Sequence, residues 1–267
     1  MEIKEYVKNE KEYLLKSVVN LMNPPHLLII QINNDEASNA YVNGKKKDLT
    51  SIGAIYTHVM MPLGTSEDEL LKLIDSANFN DKYHGILVQM PLPKHIDEEK
   101  VKKAIIPEKD VDGFNPLSEN EPCTPKGIID YLKNEQVDFT GKNAVVIGRS
   151  NIVGKPVAKL LLDLNCNVTI LHSKTTKEDM EFYLKHADIV VVAVGKKYFI
   201  SNQELKPSAI LVDVGINRFE GKLYGDCAPN LNVALQTPVP GGVGLLTRLA
   251  MLQNLLLCQN IQEAVKK

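Results

Sequence analysis

Tyr41, Lys45, Gln89 and Asp112 are side chains of the kinds that move protons or grip a heterocycle. Tyr41 and Lys45 are four apart, so on a helix they share one face. Gln89 closes an apolar, strand-like run, and Asp112 sits in the loop Lys109-Asp110-Val111-Asp112-Gly113. Singly, each has an ordinary explanation: a helical tyrosine packs, a lysine is solvated, and a loop aspartate caps a turn. Together they form a coherent set. Tyr41 offers a flat apolar ring for a heterocycle. Lys45 can shuttle a proton if burial brings its pKa down from the usual ~10.4. Gln89 can hold the amine by a hydrogen bond, and Asp112 can accept paired hydrogen bonds from an amino-substituted ring. No Ser-His-Asp spacing supports nucleophilic hydrolysis.

A second set lies further on. The apolar run Asn143–Ile147 leads directly into Gly148-Arg149-Ser150-Asn151-Ile152-Val153-Gly154, with a helix expected to open at Pro156. A strand, a glycine-rich turn and a helix start present outward N–H groups and a positive dipole end, which together hold a phosphate. The turn is not the simple GxGxxG: Ser150 stands at the second glycine, and Gly154 comes one residue late. The next strand ends Ile170-Leu171-His172-Ser173-Lys174, without the acid that binds ribose hydroxyls in NAD sites. Arg149 with a serine and no carboxylate suits a 2′-phosphate, so the site reads as NADP rather than NAD. Val194-Gly195 and Val214-Gly215-Ile216 place glycines at two further strand ends, where open α/β sheets bind ligands.

Both sets must be positioned by alternating helices and strands. The chain has 267 residues, enough for two modest domains or one large one. A helix is expected over 3–22, ended by Asn23-Pro24-Pro25. Strands follow at 26–32, 55–60 and 85–90, the last closed by Pro91-Leu92-Pro93. A helix over 36–52 has Gly53 as its cap, and Ser66 with Glu69 makes a capping box for the next. This βαβαβ rhythm predicts a parallel sheet with helices on its faces. The loop-rich stretch 107–125 holds the domain junction. A new helix is expected over 126–133, then strands at 143–147, 167–171, 189–193 and 210–214, whose apolar, β-branched runs suit central strands. The last helix is expected over about 246–266, after Pro240-Gly241-Gly242-Val243-Gly244.

Composition narrows the classes. A formal net charge of -2, a pI near 6.3 and 24% charged residues argue for no nucleic-acid face and no membrane surface. Lys45-Lys46-Lys47 reads equally as a solvated helix face. Cys123, Cys166, Cys227 and Cys258 form no CxxC pair, so no metal site or disulfide framework is expected, and reduced thiols in a cytoplasmic protein are. The N-terminal Met-Glu-Ile-Lys-Glu has no secretory pattern, and no apolar run approaches a membrane span.

At these residues the chain resembles the bifunctional methylenetetrahydrofolate dehydrogenase/methenyltetrahydrofolate cyclohydrolases (FolD). The resemblance covers nearly its whole length. It is carried in order by SNAYVNGKKK (38–47), HGILVQMPLP (84–93), PEKDVDG (107–113), PCTPKG (122–127), GRSNIVGKP (148–156), HSKT (172–175) and TPVPGGVG (237–244). It implies an α/β protein of two domains: a catalytic, folate-binding domain over 1–125 plus 246–267, and a Rossmann-like NADP-binding domain with a parallel sheet over 126–245, with the active-site cleft between them. It implies a homodimer joined through the cofactor domains. By match, Lys45 is the proton shuttle, Tyr41 stacks on the folate, Gln89 tunes Lys45 and Asp112 grips the pterin. Ser38, Val88, Pro91, Leu92, Gly241, Gly242 and Leu245 fall in the segments that line the reduced folate. Gly148, Arg149, Ser150, Ile152, Val153, His172, Ser173, Val194, Gly195, Gly215, Ile216 and Thr237 fall in those around NADP, with Arg149 and Ser173 at the 2′-phosphate. The implied reaction oxidises 5,10-methylenetetrahydrofolate with NADP and hydrolyses the product to 10-formyltetrahydrofolate, in one-carbon metabolism feeding purine biosynthesis. The chain departs from the family in a junction loop about ten residues shorter, a trimmed N-terminus, Leu245 in place of proline after Gly244, and Lys197 at another usual proline. An altered wall at Leu245 leaves open a dehydrogenase with weak cyclohydrolase activity. The Tyr41/Lys45 pair argues against a third reading, an idle binding subunit.

Overall fold

The computed structural model describes residues 1–201 and 204–265, so the expected helix end at Lys266 lies outside the described residues. In chain order the elements are α1 (Ile3–Val19), β1 (His26–Gln31), α2 (Glu36–Ser51), β2 (Ile55–Met60), α3 (Glu67–Asn78), β3 (Gly85–Val88) and α4 (Glu98–Ala104). A short 3-10 turn, Pro107–Lys109, precedes α5 (Cys123–Asn134), β4 (Asn143–Ile147), α6 (Gly154–Asp163), β5 (Asn167–Leu171) and α7 (Lys177–His186). β6 (Ile189–Val192), β7 (Ile210–Asp213), β8 (Asn217–Phe219), β9 (Lys222–Tyr224), β10 (Leu235–Gln236) and α8 (Val243–Val265) complete the chain. The elements form two compact units, one of Lys8–Cys123 with Arg248–Lys267, the other of Met1–Val7 with Thr124–Thr247. Residues 1–7 therefore cluster with the second unit, where the sequence reading had grouped them with the first. The Met1 ammonium pairs with Glu135 at 2.8 Å, and the Tyr131 hydroxyl donates to the Met1 carbonyl.

The first unit is built on a parallel sheet of order β2-β1-β3. β1 is central and buried along its length, as its apolar sequence requires, while β2 is an edge strand and half-exposed. Leu28, Ile30, Ile86 and Val88 from the sheet pack with Leu70 and Ile74 of α3 and Val101 of α4. Asp35 caps α2, accepting from the Ser38 amide at 2.9 Å and the Ser38 hydroxyl at 2.7 Å. After α2, Gly53 takes φ +75°, the left-handed conformation that glycine adopts without a steric cost. The Ser66/Glu69 capping box forms in full. β3 stops at Val88, although the Gln89 amide still donates to the Ile30 carbonyl of β1 at 2.8 Å before the chain turns away at Met90. The short junction loop is fastened to itself: Asp110 accepts from the amides of Gly113 and Asn115, and Asn120 donates to the Asp110 carbonyl.

The second unit holds a parallel sheet of order β10-β7-β6-β4-β5, with a small antiparallel hairpin, β8-β9. β4, β6 and β7 are covered on both faces, as expected for their apolar runs, and Val145, Ile147, Val190, Val192 and Leu211 belong to one core with Leu184 of α7. β5 is not central. It is an edge strand with Thr169 partly and Ile170 clearly exposed, because among the described residues no further strand pairs beyond it. α6 opens at Gly154 rather than Pro156, which leaves Pro156 in the first turn, where its missing N–H costs nothing. α5 likewise begins earlier than expected, at Cys123.

Candidate active site

In the first unit, α2 carries Tyr41, Lys45 and Asp48 along one face. The Lys45 side chain is buried, with only 7% of its surface exposed. Its Nζ donates to Gln89 Oε1 at 3.0 Å and lies 5.9 Å from the centroid of the Tyr41 ring. The Gln89 amide cannot turn its nitrogen to the lysine without loss, because Nε2 donates to the Met90 carbonyl at 2.7 Å. Loss of water from around the amine pushes the Lys45 pKa down, and the positive charge of Arg248 pushes the same way. Asp112 and Cys123 oppose them. Burial raises the Asp112 carboxyl, against the pull of Lys45 and Lys102. Burial also raises Tyr41 and lifts the neighbouring Asp110 to about 6. A dehydrated amine whose pKa is lowered and a dehydrated carboxyl whose pKa is raised are the kinds of group that serve acid–base chemistry.

Four more of the expected folate residues lie in this unit. Val88 is buried at the end of β3. Pro91 follows a cis bond and accepts on its carbonyl from Asn33 Nδ2 at 2.5 Å. Leu92 packs on the core, and Ser38 is engaged by Asp35. Gly241, Gly242 and Leu245 belong to the other unit. Two contributors escaped the sequence reading. Asn33 holds the Pro91 carbonyl, and Arg248 forms an ion pair with Asp48, Nε to Oδ2, at 2.9 Å. A glycine in the middle of α2 was the available signal for Arg248.

In the second unit, Gly148, Arg149, His172, Ser173 and Val194 line one cavity of 450 Å³, together with Thr175 and Lys196, which the sequence reading did not single out. Gly148 takes φ +118°, and a Cβ there would lie 2.3 Å from the Ala193 carbonyl oxygen, so only glycine allows β4 to turn so close to β6. Ser150 stands in for the missing glycine differently: its hydroxyl accepts from the amides of Val153 at 3.2 Å and Gly154 at 3.3 Å, at the entry to α6. Gly195, at φ +66°, has open space above it. The fully buried Asp226 fixes that turn, accepting from the amides of Val194, Gly195 and Lys196 at 2.7 to 2.9 Å. Ile152 and Ile216 expose apolar side chains, 39% and 50% respectively. Gly215 approaches Asp226 so closely that a Cβ would clash with its carboxylate. Thr237 stands apart, in a different cavity, with its hydroxyl accepting from the Asp213 amide. Arg149 and Lys196 put two cations on the first cavity, and none of its lining residues is acidic. These donors and this space fit a dinucleotide bearing an extra phosphate.

Two family models match the chain: the catalytic domain of tetrahydrofolate dehydrogenase/cyclohydrolase over residues 1–112, and its NAD(P)-binding domain over 122–263. A bifunctional protein FolD of Acetivibrio thermocellus is 46% identical, with 99% of this chain and 95% of that protein covered. The crystal structure of the FolD dehydrogenase/cyclohydrolase from Campylobacter jejuni is 38% identical with a TM-score of 0.87, covering 97% and 95% of the two chains. The Trypanosoma brucei dehydrogenase-cyclohydrolase, solved with NADP and an inhibitor, is 30% identical with a TM-score of 0.94, covering 100% and 98%. With both domain types matched in order and the likeness running from end to end, the chain is a member of the tetrahydrofolate dehydrogenase/cyclohydrolase family.

Proposed function

We propose that this protein oxidises 5,10-methylenetetrahydrofolate to the 5,10-methenyl cation with NADP, and then hydrolyses the cation to 10-formyltetrahydrofolate. The observation that carries this is the dehydrated Lys45 amine, held by Gln89 beside the Tyr41 ring. Bound at the cavity of Arg149 and Ser173, NADP supplies the hydride acceptor. The protein's own groups do the rest. Tyr41 stacks on the pterin. Asp112 pairs with its amino-substituted ring. Lys45 takes the proton from the water that adds to the one-carbon bridge and returns one to N5 as the C–N5 bond breaks, leaving the formyl group on N10 and releasing one proton overall. Gln89 keeps the amine aimed. The cations at Arg149 and Lys196 support NADP over NAD.

An absorbance assay with methylenetetrahydrofolate and each nicotinamide cofactor tests the whole sequence. Transient methenyl followed by its decay is expected with NADP, whereas methenyl that accumulates and stays would mark a dehydrogenase alone. Asp112→Ala is expected to weaken folate binding by at least tenfold, about 1.5–3 kcal/mol for a hydrogen bond to a charged partner, while leaving the NADP Kd in place. A folate titration by fluorescence quenching reads this, and an unchanged folate affinity would take Asp112 out of the site.

The unpaired edge of β5 supports a homodimer through the cofactor units: Ile170 there, Leu162 on α6 and Phe182 on α7 all expose apolar surface. Sedimentation at twice the chain mass is the expected result, and a monomer at micromolar concentration counts against it. Four buried cysteines, none of them in a disulfide among the described residues, support a reducing, cytoplasmic setting. Among the described residues no helix is long and apolar enough to cross a membrane.

A further inference from the structure

Gly44 lies in the interior of α2, one residue before Lys45, where glycine costs a helix stability relative to alanine. Its local geometry gives the reason for keeping it. A Cβ at Gly44 would sit 2.0 Å from Arg248 Nη1 and 3.1 Å from Cζ, so one end of the guanidinium reaches against the backbone of α2 into the space a side chain would fill. One turn further along the same face, the Asp48 carboxylate forms an ion pair with the guanidinium, Oδ2 lying 2.9 Å from Nε. Asp48 also pairs with Lys11 of α1. One carboxylate therefore serves two cations, and the cluster keeps a net positive charge. It is poorly hydrated, with side-chain exposures of 23% for Arg248 and 9% for Asp48, so its field on the neighbouring residue is weakly screened.

We propose that Arg248 is a positioning residue for the hydrolytic step: pinned across Gly44 by Asp48, it holds a fixed positive charge beside Lys45 and so favours the neutral, proton-accepting amine. This rests on the reading of Lys45 as the proton carrier. The groups facing Lys45 are Tyr41 and Gln89, Asp112 from the junction loop, Cys123 at the start of α5, and Arg248 from α8. Asp112 and Cys123 both favour the ammonium, and Arg248 is the charge set against them. An arginine suits this task because it keeps its charge at every pH at which the enzyme works. A lysine in its place would keep the sign of the field but lose the two-point placement, one nitrogen at Gly44 and another at Asp48.

The test measures methenyltetrahydrofolate hydrolysis against pH for the parent, Arg248→Gln, Arg248→Lys and Gly44→Ala, with Lys45→Met as reference. In Arg248→Gln the rising limb of the profile is expected to move alkaline by ~0.5–1.5 pH units. At a pH on that limb the rate then falls about 3- to 30-fold. Arg248→Lys is expected to return the limb most of the way. Gly44→Ala displaces the guanidinium without removing it. It should move the limb in the same direction by a smaller amount while the thermal midpoint does not fall, since alanine favours the helix. That variant keeps the proposal testable if Arg248→Gln folds poorly. A limb that stays in place in both Arg248→Gln and Gly44→Ala overturns the proposal. So does an equal rate loss in Arg248→Gln and Arg248→Lys without movement of the limb, which is the mark of a purely mechanical clamp. Lys45→Met hydrolysing as fast as the parent removes the underlying reading instead; an inactive Lys45→Met with an unmoved Arg248→Gln limb removes only the role given to Arg248.

Discussion

Lys45→Met is expected to reduce methenyltetrahydrofolate hydrolysis by about 10²- to 10⁴-fold, the range over which a positioned acid–base group contributes to a rate. The expectation comes from what the amine is given and what is withheld from it. It is withdrawn from water, which disfavours its charged form, and it has a neutral partner at 3.0 Å in Gln89 Oε1. Desolvation leads the causes that bring its pKa down. A group lowered in this way sheds its proton at a pH below the usual ~10.4 for lysine. The rate of a step that uses the neutral amine therefore rises as pH increases through the lowered value and falls on the acid side of it. Methionine matches the length and apolar stem of lysine and removes only the amine. It also removes the cost of burying that amine, while Gln89 Oε1 loses a donor at a cost of about 1 kcal/mol. The two opposing effects leave the fold intact. Absorbance decay of the methenyl cation gives the rate, and equilibrium NADP binding should match the parent. A variant that still produces 10-formyltetrahydrofolate at the parent rate would remove Lys45 from the chemistry.

What the sequence disclosed depended on how local the cause was. The Ser66/Glu69 box, the left-handed Gly53 and the strands flanking them follow from neighbours within a few residues, and they are present in the structure. Helix starts were less legible, even where the contacts are local. The Ser150 hydroxyl accepts from the Val153 and Gly154 amides, and α6 opens at Gly154 and not at the proline. The strand β5 was read as central from its apolar residues, but position in a sheet depends on which strands pair, and Asn167–Leu171 has a neighbour on one side only. In the candidate site, Tyr41 and Lys45 were legible from helical spacing alone. Gln89 needed a strand end 44 residues away to be meaningful. The glycine in α2 hints at a close neighbour but does not name Arg248, because Gly44 and Asp48 lie on a helix two hundred residues earlier and only their spatial meeting identifies it.

Arg149→Ala is the second large effect, and its size differs between the two nicotinamide cofactors. NADP differs from NAD by one phosphate on the adenosine ribose, so a residue that reads that phosphate changes one affinity and spares the other. Arg149 lines the same 450 Å³ cavity as His172 and Ser173, at the end of the strand that carries an acid in NAD sites. Its side chain is exposed in the absence of ligand and therefore costs little to bring onto a phosphate. A charge-assisted, two-pronged contact of guanidinium with phosphate is worth about 1.5–3 kcal/mol. Its loss corresponds to a rise in the NADP Kd of about 12- to 150-fold. Lys196 on the same wall retains part of the attraction, which places the expected value toward the lower end of that range. NAD lacks the phosphate, so its Kd should change by less than about threefold. Titrating each cofactor by protein fluorescence gives both constants. The ratio of the two, rather than either alone, is the decisive number, because a general disturbance of the turn after β4 would weaken both cofactors together and leave the ratio untouched. A parent protein that binds NAD and NADP equally well would show that neither Arg149 nor Lys196 reads a 2′-phosphate.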